Sequence, residues 1–111
     1  MKINKHEDAR RILHEWVDGD CVKSVKTIYV KGKVSLGNHY HLNKDEYFYM
    51  ARGKANYVLT GDKFYKRGWI FEGEGIKVTK GIIHTFIVYP DSILLEAATE
   101  VYNPIDEIRA P

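Results

Sequence analysis

Apolar and polar residues alternate along most of this chain. From residue 22 onward, β-branched and aromatic residues recur at every second position in short runs, which is the period of half-buried strands. The runs cover residues 22–30, 34–42, 46–52, 55–60, 63–65, 69–72, 76–79, 82–89 and 93–102. Lys31-Gly32-Lys33 and Pro90-Asp91-Ser92 read as turns, Gly61-Asp62 as a two-residue hairpin loop, and Asn103-Pro104 as the end of the β run. Residues 6–17 break the pattern. Ala9, Ile12, Leu13, Trp16 and Val17 fit a helical period of about 3.6, yet residues 11–17 also suit a strand ended by Asp18-Gly19-Asp20. On periodicity alone a helix is favoured there. Short strands at a spacing of roughly 8–12 residues predict an all-β sandwich or barrel.

Composition narrows this to one domain. With 111 residues, 44% of them hydrophobic, the chain has room for a single core. Seventeen Lys and Arg against fifteen Asp and Glu leave a charge of +2, too weak to point to nucleic acid or membrane partners. Cys21 is the only cysteine, which excludes an internal disulfide and a Cys-rich zinc cluster and fits a cytoplasmic origin. The first residues lack the apolar stretch of a signal peptide, and no run approaches the ~20 apolar residues of a membrane span. Five His and eight Tyr in so short a chain are the surplus to explain.

Three of the histidines share a pattern. His39 and His41 are two apart, so on a strand both imidazoles face the same way. Asn43-Lys44-Asp45 is polar and turn-like, and Glu46 then opens the next strand beside them. His84 interrupts the apolar run Ile82-Ile83-His84-Thr85-Phe86, where a buried ring needs a partner. A lone His-x-His, a lone core histidine or a lone Glu at a strand end means little. Together, three imidazoles and a carboxylate make a ligand set for Zn, Fe(II), Mn, Ni or Cu(II) with positions left open for water or substrate. His6 and His14 have no such neighbours and are assigned to the surface.

The same residues carry a resemblance. His39-x-His41, then Glu46, then Gly53 resembles the first motif of the cupin superfamily, and Gly73, Thr79, Gly81 and His84 are similar to its second. Thr79 stands where the family usually has proline, Val88 where it usually has asparagine, and Gly32 lies one residue off the expected leading glycine. The resemblance covers residues 25–100. It implies a jelly-roll barrel, of the small single-domain RmlC-like type, with His39, His41, Glu46 and His84 as ligands of a metal in its mouth. By alternation Phe48, Met50, Phe86 and Val88 would share the inward face. A further resemblance, of Asp8-Ala9-Arg10-Arg11-Ile12-Leu13 and of Leu36-Gly37-Asn38-His39-Tyr40-His41, is to cupins acting on nucleotide-linked deoxysugars. It implies that residues 9–17 are a strand, against the helical period, and that the chain pairs as a homodimer through that strand. The expected layout is an N-terminal arm or strand over residues 1–20, a barrel over 25–102 and a tail over 103–111.

On this resemblance the expected activity is isomerisation or epimerisation of a keto-sugar, with the metal stabilising the charge that develops as a proton next to the ketone leaves. Tyr29, Tyr40, Tyr57 and Lys44 are candidate proton carriers, together with Tyr49, although parity turns Tyr47 and Tyr49 away from the face of Glu46. Phe48, Met50, Phe86 and Arg52 are candidate substrate contacts. Lys26, Lys31, Lys33 and Lys54 join Arg52 as candidates to meet a diphosphate. An Fe(II)-dependent oxygenase acting on a small molecule and a sugar-binding module without turnover remain the alternatives.

Overall fold

The alternating runs pair into two antiparallel sheets that face one another. The structure, a computed structural model, describes residues 1–111. Its strands in chain order are β1 (Asn4–Glu7), β2 (Ile12–Glu15), β3 (Ser24–Tyr29), β4 (Val34–His41), β5 (Glu46–Arg52) and β6 (Lys54–Gly61), followed by β7 (Phe64–Phe71), β8 (Gly75–Val78), β9 (Ile83–Val88), β10 (Ile93–Ala98) and β11 (Glu107–Arg109). One sheet has the order β3-β10-β5-β8 and the other β11-β4-β9-β6-β7, while β1 and β2 form a separate hairpin. From β3 to β6 and again from β7 to β11 the chain changes sheet at each connection, which is the winding of a jelly roll. No helix is present that could cross a membrane.

The inward faces meet in one apolar core. Met50, Val88 and Leu94 are fully buried, and Phe48 and Phe86 pack against them with ring centroids 4.6 Å apart. The alternation in β9 is visible in its burial, with His84, Phe86 and Val88 buried and the residues between them only partly so. The site therefore lies at one end of a stripe that is otherwise hydrocarbon.

Three details differ from the sequence reading. The helical period over residues 6–17 does not become a helix. Asp8 accepts hydrogen bonds from the backbone amides of Arg10 (2.8 Å) and Arg11 (3.1 Å), and its own amide donates to the Arg11 carbonyl (3.0 Å). That local turn reverses the chain, so residues 4–7 pair with 12–15 as a hairpin. The strand implied for residues 9–17 is present in its shorter form, and β1 before it was not foreseen. The runs 63–65 and 69–72 merge into one continuous strand, β7, over residues 64–71, because all eight of its residues pair with β6. Residues 103–111 contain β11, which extends the second sheet by pairing with β4.

One irregularity aims the histidines. Gly37 and Asn38 have φ of 97° and 61°, and the register between β4 and β9 slips by one residue there. Strict alternation would put Leu36 and His39 on opposite faces. The bulge inserts one residue, so Leu36 lies opposite Phe86 and His39 opposite His84, all facing inward. A side chain at position 37 would meet the His84 carbonyl oxygen at 2.5 Å. Gly37→Ala is accordingly expected to lower stability by about 1–3 kcal/mol, through left-handed strain and that clash. Urea unfolding measures it, and a wild-type midpoint in the variant would show that the bulge does not need glycine.

Candidate functional site

His39 and His41 reach the barrel interior from β4, Glu46 from the first position of β5 and His84 from β9. The turn 42–45 brings β4 and β5 together: the Asp45 amide donates to Thr99 Oγ1 (3.0 Å), and Asp45 Oδ1 accepts from the Lys80 amide (2.9 Å). One ligand-type atom from each of the four side chains lies within 4.8 Å of the others, and this group could hold a metal ion. Ring centroids are 4.6 Å apart for His39 and His84, 4.9 Å for His39 and His41, and 5.8 Å for His41 and His84. His41, Glu46 and His84 are buried and His39 half-buried, so the cluster opens on the side of His39.

The polar contacts inside the cluster are close without being hydrogen bonds. Glu46 Oε1 lies 3.0 Å from His41 Nε2 and 3.4 Å from His84 Nε2. Glu46 Oε1, both nitrogens of His41 and the Nδ1 atoms of His39 and His84 have no partner in hydrogen-bond geometry, although all are shut off from solvent. Ligands bonded to one ion at about 2.1 Å sit about 3–3.4 Å from one another, so the two Glu46 contacts and the unmet atoms fit a divalent cation, and the group as a whole, spread over up to 4.8 Å, would draw in around it. Outside the cluster, Glu107 Oε1 lies 3.3 Å from His39 Nδ1 and Asp106 Oδ2 3.6 Å from His41 Nδ1.

Burial sets the protonation of these groups. Loss of solvent pushes His84 down to about 3, with the neighbouring His39 adding to it. It pushes His41 down to about 4, assisted by the Lys44 ammonium, and holds His39 below its usual value. Glu46 moves the other way, to about 8, through burial and then the nearby charge of Glu96. Neutral imidazoles are the form that binds metals.

Beside the cluster is a cavity of about 190 Å³, walled by Ile28, Leu36, Phe48, Phe86 and Leu94, with His39, His84, Lys26 and Glu96 as its polar members. Lys26 and Glu96 are directly opposed across β3 and β10, with Nζ 3.3 Å from Oε2, and the Glu96 side chain is only 12% exposed. Of the proposed substrate contacts, Phe48 and Phe86 line this cavity, Met50 is buried in the core behind it, and Arg52 is exposed at the far end of β5.

The candidate proton carriers scatter. Tyr29 is 73% exposed on the outer face, Tyr57 is buried in the core, and Tyr40 projects from β4 on the side opposite His39 and His41. Tyr49 faces outward, where it contacts His14 and stacks on Trp16 with centroids 5.6 Å apart. His14 is thus half-buried against Tyr49 rather than free on the surface. Lys44 is 5% exposed, and its charge acts on His41, His84 and Glu46. Lys33 and Lys54 stand over the Tyr89 ring, both at 5.1 Å, and do not line the cavity.

Sequence reasoning passed over Glu96, Asp106 and Glu107. A charged residue inside the apolar run Ile93-Leu94-Leu95-Glu96-Ala97-Ala98 is the same signal that singled out His84, and it would have found Glu96. Asp106 and Glu107 gave no signal, because only the return of β11 to β4 brings them near.

These shifts predict an optimum for the chelator-treated protein. His41 and His84 titrate lower folded than unfolded, so their contribution is present above about pH 6.5 and is lost as the pH falls towards 4 and 3. Glu46 titrates higher folded, so its contribution is full below about pH 4.5 and is lost as the pH rises through 8. Melting temperature is expected to peak near pH 6.5, and Glu46→Gln to flatten the alkaline side. A variant that keeps the wild-type alkaline decline would contradict the assignment to Glu46.

No protein-family model matches the sequence, and no curated protein matches it. Solved structures do. A TDP-fucose-3,4-ketoisomerase from Campylobacter jejuni, WlaRA, is 19% identical with a TM-score of 0.83, covering 97% of this chain and 85% of that one. The sugar 3,4-ketoisomerase QdtA from Thermoanaerobacterium thermosaccharolyticum, in complex with TDP, is 20% identical with a TM-score of 0.84, covering 97% and 84%. The RmlC epimerase from Mycobacterium tuberculosis is 18% identical with a TM-score of 0.81, covering 95% of this chain and 64% of that one. With its all-β winding and its inward-facing His and Glu on facing strands, the chain has the jelly-roll fold of the RmlC-like cupins.

Proposed function

We propose that this chain is a metal-dependent isomerase or epimerase of a nucleotide-linked keto-sugar. The observation that carries the reading is the opening of the His39, His41, Glu46 and His84 cluster, through His39 and His84, into a cavity of about 190 Å³ that also presents a carboxylate. The likeness in fold to two sugar ketoisomerases and an epimerase supports the substrate class.

His39, His41, Glu46 and His84 would hold the ion, and no thiolate is among them. Zn, Fe, Mn and Ni all suit such a set. A bound ion supplies a Lewis acid towards the ketone and its neighbouring hydroxyl, lowering the cost of the negative charge that grows as the α proton leaves. Phe48, Phe86 and Leu94 give the sugar an apolar wall and exclude water from it. Glu96 is the cavity's carboxylate outside the four-residue cluster, so it is the group placed to take the proton from one carbon and return it to the next. Lys26, paired with it, keeps that carboxylate turned into the cavity. Lys44 adds a buried positive charge beside the cluster, where it favours an anionic transition state.

The reading includes a homodimer in the cytoplasm. Val25 and Tyr29 on the outer face of β3, and Ile12 on the N-terminal hairpin, are each at least 65% exposed, an apolar surface that a second copy would cover. Light scattering is expected to give twice the 12.9 kDa chain mass, and a monomer at micromolar concentration would remove this part.

With a TDP-linked 4-keto-6-deoxyhexose in D2O, NMR is expected to show deuterium entering next to the ketone. Glu96→Gln should slow that exchange by about 10²–10⁴-fold at unchanged metal content, while His84→Ala should lose both metal and exchange. Tight binding of the sugar without exchange would favour a binding module, and O2 consumption by the iron-loaded protein would favour an oxygenase.

A further inference from the structure

The cavity beside the cluster has two unlike walls. One belongs to the sheet β3-β10-β5-β8 and includes Phe48, Leu94, Lys26 and Glu96, while the other belongs to β4 and β9 and includes Leu36, Gly37, Phe86, His39 and His84. On the first wall Lys26 and Glu96 are cross-strand partners, with Nζ 3.3 Å from Oε2, and Phe48 flanks Glu96 from the other side. On the second wall His39 lies opposite His84, and Leu36 opposite Phe86. In the proposed function both of those imidazoles are ligands of an ion. Hydrocarbon and the Gly37 backbone make up the rest of that wall, and neither is an acid or a base. The proton carriers left over, Glu96 and Lys26, stand side by side on the first wall.

A sugar ring seated between two sheets turns one face to each. Moving a ketone from C4 to C3 then needs a proton carrier on one side only. The Glu96 carboxylate takes the C3 proton, the C3–H electron pair becomes the C3=C4 bond, and the carbonyl pair goes to the C4 oxygen. In the enediol so formed the C3 hydroxyl gives its proton to the C4 oxygen. Its electrons make the new carbonyl, and the double-bond pair takes the proton back from Glu96 at C4. C3 is oxidised and C4 reduced by the same electron pair, so no outside oxidant is needed. Inverting a single carbon is different, because the proton must leave by one face and return by the other. We propose that this chain is a ketoisomerase rather than an epimerase, taking and returning the proton on the one sugar face turned to Glu96. The inference rests on the proposed function, since imidazoles free of an ion would put proton carriers on both walls. It fixes the stereochemistry. A glucose-configured sugar carries its C3 and C4 hydrogens on opposite faces. Return at C4 by the face that the C3 hydrogen left therefore gives the galactose arrangement at C4.

Product analysis by NMR tests this. With TDP-4-keto-6-deoxyglucose and the metal-loaded protein in D2O, the carbonyl is expected to move to C3 and deuterium to enter at C4, in the galactose arrangement. Glu96→Gln should slow the reaction by about 10²–10⁴-fold and leave the arrangement of the product as it is. A second readout needs no turnover. In the chelator-treated Glu96→Gln protein, nuclear Overhauser contacts are expected from the sugar H3 and H5 to the Leu94 methyls, and from H2 to the Leu36 methyls. H3 and H5 share one face of the ring, and H2 lies on the other. A 3-keto product in the glucose arrangement overturns the proposal, as does a 4-keto product inverted at C3 or C5. So do contacts that place H3 against the Leu36 wall. A protein that binds the sugar but neither exchanges nor isomerises it would sink the isomerase reading itself, and the contacts of H3 would still decide which face Glu96 meets.

Discussion

Placing Glu46 among three imidazoles inside a hydrocarbon barrel costs free energy, and much of the architecture can be understood from how that cost is met. Removing a carboxylate from water is penalised by several kcal/mol even after relaxation, and in the metal-free chain the penalty emerges as a carboxyl pushed up to about 8 and imidazoles pushed down to about 3 and 4. The neutral forms are tolerable in the core but leave Glu46 Oε1 and His41 Nε2 without hydrogen-bond partners. A divalent cation would answer both deficits, since it favours the ionised carboxylate and takes up the unshared electron pairs. The apolar packing of Phe48, Met50, Phe86, Val88 and Leu94 below the cluster supplies the burial that keeps the strands in register around it.

Convergence of the four side chains depends on departures from regular structure. β4 must carry both Leu36 and His39 on its inner face, and only the bulge at Gly37 and Asn38 lets it do so. The glycine is also where the His84 carbonyl approaches most closely, so the same residue sets the aim of His39 and the spacing of β4 from β9. β11 then covers the outer edge of β4. An edge left open there would expose unpaired backbone groups next to the site. Closing it with a segment that carries Asp106 and Glu107 surrounds the histidines with carboxylates on their outer sides. The N-terminal hairpin packs on the opposite sheet through Trp16 and Tyr49, away from the cavity.

Much of this was legible in the chain. The period of two in residues 46–52 and 82–89 placed Glu46, Phe48, His84 and Phe86 on inner faces, because a strand in a sheet has little freedom to turn its side chains. Polar residues interrupting apolar strands marked the site for the same reason. The hairpin at residues 4–15 was hidden because Ala9, Ile12, Leu13, Trp16 and Val17 satisfy a helical period equally well, and an Asp8 turn with a few hydrogen bonds decided between them. Arg52 follows the inward parity of β5 yet ends in solvent, where the strand runs out of the barrel. Tyr57, a candidate by residue type, is core because its strand is an interior one, between β9 and β7, and turns that side chain inward.

Strand period and residue chemistry are local, so the sequence by itself marked an all-β chain and the inward-facing polar residues His39, His41, Glu46 and His84, while their meeting at one point needed the bulge in β4 and its pairing with β9. The positions of Glu96, Lys26, Asp106 and Glu107 were decided only by tertiary structure. Glu96 becomes a cavity wall because β10 lies between β3 and β5, opposite Lys26 and Phe48. Asp106 and Glu107 reach the histidines because β11 closes back on a strand some 65 residues earlier. Pairings at that separation are chosen by which closure buries the most apolar surface and leaves the fewest backbone groups unpaired, and no local pattern encodes that sum.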